Sequence, residues 1–188
     1  CLMRLNQYFP TVKAMLSAYG VPEDLAYLAL LESGFQPSVV ASSGKAGLWQ
    51  LSQATARAYG LEVSSEKDER TNLEASTQAF ARYISYLHRK FGSWELAILG
   101  YEIGEQNVQD MINQIGSYNL QRIEQQLGQY SREQEFLAKL AAAIKIAKNP
   151  RAYGFDIDLP NISGSTAVQA KNRLLTPVTP ELLGATLY

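Results

Sequence analysis

Residues 22–50 read PEDLAYLALLESGFQPSVVASSGKAGLWQ, and the change of texture inside this stretch decides the fold class. The first half opens with Pro22, Glu23 and Asp24, a proline at the first helical position with acids in the first turn. Leu25, Leu28, Leu30 and Leu31 then leave almost no polar side, so the helix predicted over about 22–33 is the buried central one. From Gly34 to Gly47 the composition turns to Gly, Ser and Pro and reads as a structured loop. Glu32 stands out within the helix. Leu25, Leu28 and Ala29 precede it by seven, four and three positions, the spacing that puts them on its face. A carboxylate at the end of an apolar stripe is costly unless it is paired or protonated, and such a setting raises its pKa. A glutamate that keeps its proton near neutral pH can serve as a general acid. The plainer alternative is a solvated residue at a helix C-terminus, since Gly34 follows closely.

Outward from this stretch the chain reads as helical almost throughout. Pro10 and Thr11 open a short helix with Val12, Leu16 and Tyr19 on one face, and Gly20 ends it. Ser52 caps a helix to Tyr59, stopped by Gly60. Asn72 caps a long one to about Lys90 whose inner face is Ala79, Phe80, Tyr83, Ile84 and Leu87. Gly92 closes it, and Ser93 caps a helix holding Trp94, Ala97, Ile98 and Tyr101. Further helices are expected at about 105–115, 119–128 and 132–148, the last ending before Pro150. No strand alternation is found before residue 155. The expectation is an all-α domain over 1–155, followed by an extended tail or linker over 156–188 with three prolines.

Composition narrows the chemistry. With 17 basic and 18 acidic residues well mixed, no basic face points to nucleic acid. One cysteine excludes an internal disulfide or a cysteine-based metal site, and one histidine excludes a multi-histidine centre. No metal and no cofactor are expected. No apolar run has the roughly 18–20 residues that span a bilayer, and no stretch reads as a signal peptide. Cys1 leaves two readings open: a lipid-modified mature N-terminus, or merely the place where the chain was cut.

Several fixed points over thirty residues carry a family resemblance. Glu32-Ser33-Gly34-Phe35-Gln36-Pro37, Gly47-Leu48-Trp49-Gln50, Thr55-Ala56 and Tyr59-Gly60-Leu61 together resemble the soluble-lytic-transglycosylase, goose-lysozyme-like signature. In that signature a glutamine also lies eighteen positions after the glutamate. Glu69-Arg70, Ala75-Ser76-Thr77 and Tyr86-Leu87 are similar to its second block, and Tyr101 with Gly104-Glu105 to its tyrosine block. Residues 142–155 look like the end of a membrane-bound lytic transglycosylase domain of the D type. The resemblance covers roughly residues 10–158.

The resemblance implies a lysozyme-like helical fold with a substrate groove, acting on peptidoglycan glycan strands in the periplasm. It also implies one glutamate, here Glu32, that protonates the glycosidic oxygen between N-acetylmuramic acid and N-acetylglucosamine. The same group then deprotonates the C6 hydroxyl as a 1,6-anhydro sugar closes. Tyr101 matches the tyrosine that approaches this glutamate. Ser33, Ser42, Trp49, Gln50 and Glu102 are the expected substrate-site residues, with core packing the alternative for Trp49 and Tyr101 and helix capping for Gln50. Tyr83 and Tyr86 read as packing, or as aromatics at the groove edge able to stack on a sugar. A monomer is expected, with an outer-membrane lipid anchor if Cys1 is the mature N-terminus. The sequence departs from the pattern at Ala41, where the family has serine, at Lys45 for alanine, and at Glu102 for asparagine. These departures keep two alternatives alongside the transglycosylase reading: a non-catalytic relative that binds peptidoglycan or serves the envelope structurally, and a hydrolysing muramidase.

Overall fold

The computed structural model describes residues 2–127 and 132–154; Cys1 and the expected tail over 156–188 lie outside them. The first helix, α1, spans Leu2–Ala18 and so begins well before Pro10, where the sequence placed its start. The reason is packing. Leu5, Phe9, Val12 and Leu16 recur at the helical period and are all buried, each gaining about 1.5–3 kcal/mol by leaving water. Pro10 lies on the exposed face, where water can serve the carbonyl that its missing N–H leaves unpaired.

The expected single helix over 22–33 is two elements: a tighter 3-10 segment, Glu23–Tyr27, running directly into α2, Leu28–Ser33. Its burial is as read, with Leu25 to Ala29 no more than 5% exposed. Downstream, α3 (Gln53–Ala58) is capped by Ser52, α4 (Leu73–Phe91) by Asn72 and α5 (Trp94–Ile103) by Ser93, each side chain accepting a backbone N–H of the first turn. Then come α6 (Glu105–Ile115), α7 (Leu120–Leu127) and α8 (Arg132–Lys148). No strand forms among the described residues; the loop after α2 holds only isolated antiparallel bridges, Val40 to Ala46 and Ala46 to Leu51. No described helix is long and apolar enough to cross a membrane.

The long helix α4 is the axis of the core. Phe80, Ile84 and Leu87 on it are fully buried, and α1 and α5 pack along it. Gly100 lets α5 come close, because a Cβ there would sit 3.0 Å from Phe91 and 3.3 Å from Leu87. The last helix, α8, packs on α5 and also reaches α2. Glu32, near the end of α2, is thereby set against the core.

Gly47 is where chain paths approach most closely. Its φ is +83°, and an added Cβ would lie 1.7 Å from the Arg70 carbonyl oxygen. Gly44 has a similar φ of +81° with nothing within 4 Å. Gly47→Ala is therefore expected to lose more than about 3 kcal/mol in denaturant unfolding. Gly44→Ala should lose only about 1–2 kcal/mol, the left-handed backbone penalty alone.

Candidate active site

The loop over 44–51 has only a short backbone pairing, Ala46 with Leu51, and side chains serve the carbonyl oxygens of Gly44, Leu48 and Trp49 and add to those of Gly47 and Leu51. Arg70, 3% exposed, donates to Gly44 O at 2.7 Å and to Leu51 O at 3.1 Å, while Asp68 holds the same guanidinium at 2.6 and 2.9 Å. The Gln50 amide donates to Gly47 O at 2.9 Å. The Ser33 hydroxyl, from α2, lies 2.8 Å from Leu48 O, and the Tyr101 hydroxyl, from α5, donates to Trp49 O. Trp49 itself is fully buried, stacked on Phe80 of α4 at 3.7 Å with its indole N–H donating to Thr77. The loop is thus pinned to three helices at once.

Glu32 ends up partly exposed as a residue, but its Oε1 is sealed from solvent and accepts no hydrogen bond among the described residues. Its pKa rises from the ordinary 4.5 to about 7. Burial is the largest cause; the Glu102 carboxyl beside it adds to the rise by charge and hydrogen bonding, and the nearby Lys45 cation opposes it. Tyr101 is held as a neutral phenol, well above its usual 10, by burial first and then by Glu32, Glu102 and Tyr83. The backbone around the site is itself unusual. Gly34 and Phe35 are both left-handed, with φ of 60° and 58°, and Gln50 has φ 47°. Such positions persist only where the surroundings over-determine them. At Phe35 a fully buried ring does so.

A group that holds its proton near neutral pH, with a cation and a second carboxyl around it, can donate a proton and then take one back. Comparison with known proteins places this arrangement. Residues 10–124 match the family described as the Transglycosylase SLT domain. The chain belongs to that family.

Membrane-bound lytic murein transglycosylase D of Escherichia coli (strain K12) is 28% identical over 177 residues, covering 94% of this chain. The chain spans only 38% of that relative's length. A putative tributyltin chloride resistance protein of Alteromonas sp. (strain M-1) is 32% identical over 106 residues, 56% of this chain and 51% of that protein. Peptidoglycan transglycosylase gp16 of Escherichia phage T7 is 40% identical over 91 residues, 47% of this chain and 7% of that one. The all-α architecture is that of the lysozyme-like SLT fold.

The SLT domain brings Glu32, Tyr101, Glu102 and Lys45 into one neighbourhood. Other expected site residues sit differently. Trp49, at 0% exposure, has no face open to a solute and supports the site from behind, because its ring fills the gap between loop and α4. The Ser33 hydroxyl also reaches Ala29 O at 3.1 Å and accepts from Gln36 N–H at 3.2 Å, so its contacts are internal. The Gln50 amide nitrogen likewise serves Gly47 O and, at 3.4 Å, Val39 O. Ser42 is exposed in the turn beside Ala41, whose N–H donates to Lys45 O at 2.9 Å. Among the described residues no cluster of His, Cys, Asp or Glu is placed to hold a metal ion.

Two contributors' parts in the site went unread in the sequence. Arg70 is matched only as part of the second block, and nothing local announces that it is buried beneath the loop. Arg4, ahead of the matched residues, donates to Gly34 O at 3.1 Å and so braces the end of the Glu32 helix.

The raised pKa carries a stability consequence. The folded-state value lies above the unfolded one, so the protonated carboxyl's contribution is fully present below about pH 4.5 and lost as pH rises through about 7. Glu32→Gln, which mimics the protonated form, should leave stability unchanged at pH 4. At pH 8 it should raise it by about 2–3 kcal/mol, read by denaturant unfolding at both pH values.

Proposed function

We propose that this chain is a lytic transglycosylase that cleaves the β-1,4 bond between N-acetylmuramic acid and N-acetylglucosamine in peptidoglycan. The observation that carries this reading is Glu32, a half-buried carboxyl whose pKa of about 7 keeps much of it protonated at neutral pH. Membership of the Transglycosylase SLT domain family and likeness to two proteins named as murein and peptidoglycan transglycosylases support the substrate class.

In this reading Glu32 gives its proton to the glycosidic oxygen as the C1–O bond breaks. The resulting carboxylate then takes the proton of the C6 hydroxyl while O6 bonds to C1, which closes the 1,6-anhydro ring and returns Glu32 to its starting state. No water is consumed and no second carboxylate attacks, unlike the two-carboxylate hydrolases. Glu102 favours the protonated form before donation, and the Lys45 cation eases the charge left afterwards. Tyr101 holds the loop carbonyl of Trp49 and brings a neutral phenol beside the carboxyl. Ser42 and Glu102 are the partly or fully exposed polar groups we assign to sugar contact, and Gln50 and Ser33 shape the loop they border. The substrate places the protein in the cell envelope, in the periplasm, with Cys1 the residue that would carry an outer-membrane anchor.

Digestion of purified peptidoglycan, followed by mass spectrometry of the soluble fragments, tests the reading. Anhydro-ended muropeptides are expected, reduced about 10²–10⁴-fold by Glu32→Gln, the range for loss of a general acid. Fragments with reducing ends would replace it by hydrolysis, and binding without release would leave a non-catalytic relative. The pH profile gives an independent check. The rate should fall as pH rises through about 7, where Glu32 loses its proton. Glu102→Gln removes a cause of the raised pKa, so its fall should begin at lower pH.

A further inference from the structure

Glu32 is the last residue but one of a six-residue helix, Leu28–Ser33. So short an element does not fix its own end, because the last four carbonyls of any helix lack intrahelical partners. The chain leaves it through Gly34 and Phe35, both left-handed, with φ of 60° and 58°. At Phe35, which carries a side chain, that conformation has to be held by its surroundings. Part of the hold is local: the Gly34 N–H donates to Leu30 O and the Phe35 N–H to Ala29 O, each at 3.1 Å. More comes from the first half of α1. The Arg4 Nε–H donates to Gly34 O at 3.1 Å, across 30 positions of sequence. Phe9 sets its ring edge-on against Phe35, with centroids 6.0 Å apart, and tilted on Tyr27 at 4.8 Å. Leu5 and Phe9 are buried, so this half of α1 is anchored in the core. Arg4, Leu5 and Phe9 all precede the matched family segment, which begins at residue 10.

We propose, on the reading of Glu32 as the proton donor, that Arg4 is a positioning residue: its bond to Gly34 O, backed by Phe9 on Phe35, fixes how deep the Glu32 carboxyl sits. Two anchored residues follow Glu32 directly. Ser33 is tied to the 44–51 loop through Leu48 O at 2.8 Å, and Gly34 is tied to α1 through Arg4. The first tie sets the carboxyl beside the loop. The second keeps the end of the helix from swinging toward water. A guanidinium suits the task, because its planar fork is rigid and a charge-assisted bond is stronger than a neutral one. Depth matters because burial is the largest cause of the raised pKa of Glu32, ahead of the charge of Glu102. The charges that act on the carboxyl are those of Glu102 and Lys45, with the neutral phenol of Tyr101 beside it. Losing Arg4 therefore has two separable effects of opposite sign. Movement of the helix end toward water lowers the Glu32 pKa, since the charged form regains hydration, whereas removal of a cation by charge alone raises it.

The test follows the Glu32 titration by NMR of protein carrying carbon-13 in its glutamate carboxyls, with the signal assigned by its absence from Glu32→Gln. Arg4→Met removes the donor and keeps an apolar stem. It should move the midpoint of Glu32 down from about 7. On peptidoglycan strands it should lower kcat about 10–10²-fold per folded molecule with little change in KM, the mark of a misplaced reacting group. Arg4→Lys keeps the charge but moves the donor along its stem; both effects should be smaller and of the same sign. It also serves as the probe if Arg4→Met does not fold. A midpoint that stays in place or rises, or a fall in kcat with the midpoint unmoved, would overturn the proposal. The titration needs no substrate, so it reports on Arg4 even if wild-type protein releases no anhydro products and the transglycosylase reading fails.

Discussion

Everything at this site depends on how a buried loop satisfies its own backbone. The segment over 44–51 sinks Ala46, Leu48, Trp49 and Leu51 into the core, yet its backbone pairing stops at the Ala46–Leu51 bridge and a few turn bonds, which leave the Leu48 and Trp49 carbonyls to side chains. An unpaired buried carbonyl is expensive. Arg70, Gln50, Ser33 and Tyr101 answer that demand, and in doing so they tie α2, the turn before α4, and α5 to one short stretch of chain. The position of Glu32 relative to Tyr101 and Glu102 is a by-product of this accounting.

The arrangement sets proton retention against stability. A carboxyl placed where burial and Glu102 both resist its ionisation destabilises the fold near neutral pH, and the same resistance is what keeps its proton there. Lys45 moderates the conflict without ending it. Lys45 and Glu102 therefore act as a pair of opposed charges around the carboxyl, Glu102 raising and Lys45 lowering its pKa. Neither removes the carboxyl.

Much of the fold was legible because its signals are local. Asn72, Ser93 and Ser52 cap helices as read, and Gly92 ends α4 in a left-handed turn. Local signals failed where packing overrode them. Pro10 reads as a helix start, yet the buried series Leu5, Phe9, Val12 and Leu16 carries α1 through it. The 22–33 helix reads as one element, and its first part tightens to a 3-10 segment. The candidate acid was legible from its apolar stripe and from the eighteen-residue interval to Gln50. Its surroundings were not, since burial of Arg70 and the meeting of Glu32 with Lys45, Tyr101 and Glu102 join residues far apart in the chain.

By itself, then, the sequence determined the helical class, the caps at Ser52, Asn72 and Ser93 and the place of Glu32 at the end of an apolar stripe, because helix periodicity and capping act between residues close in the chain. The tertiary structure alone decided the protonation of that glutamate, the burial of Trp49 and the internal use of Ser33 and Gln50. Those depend on desolvation and on partners up to fifty-two residues away, as from Tyr101 to Trp49. No local pattern encodes how far a carboxyl is removed from water once the chain has closed over it.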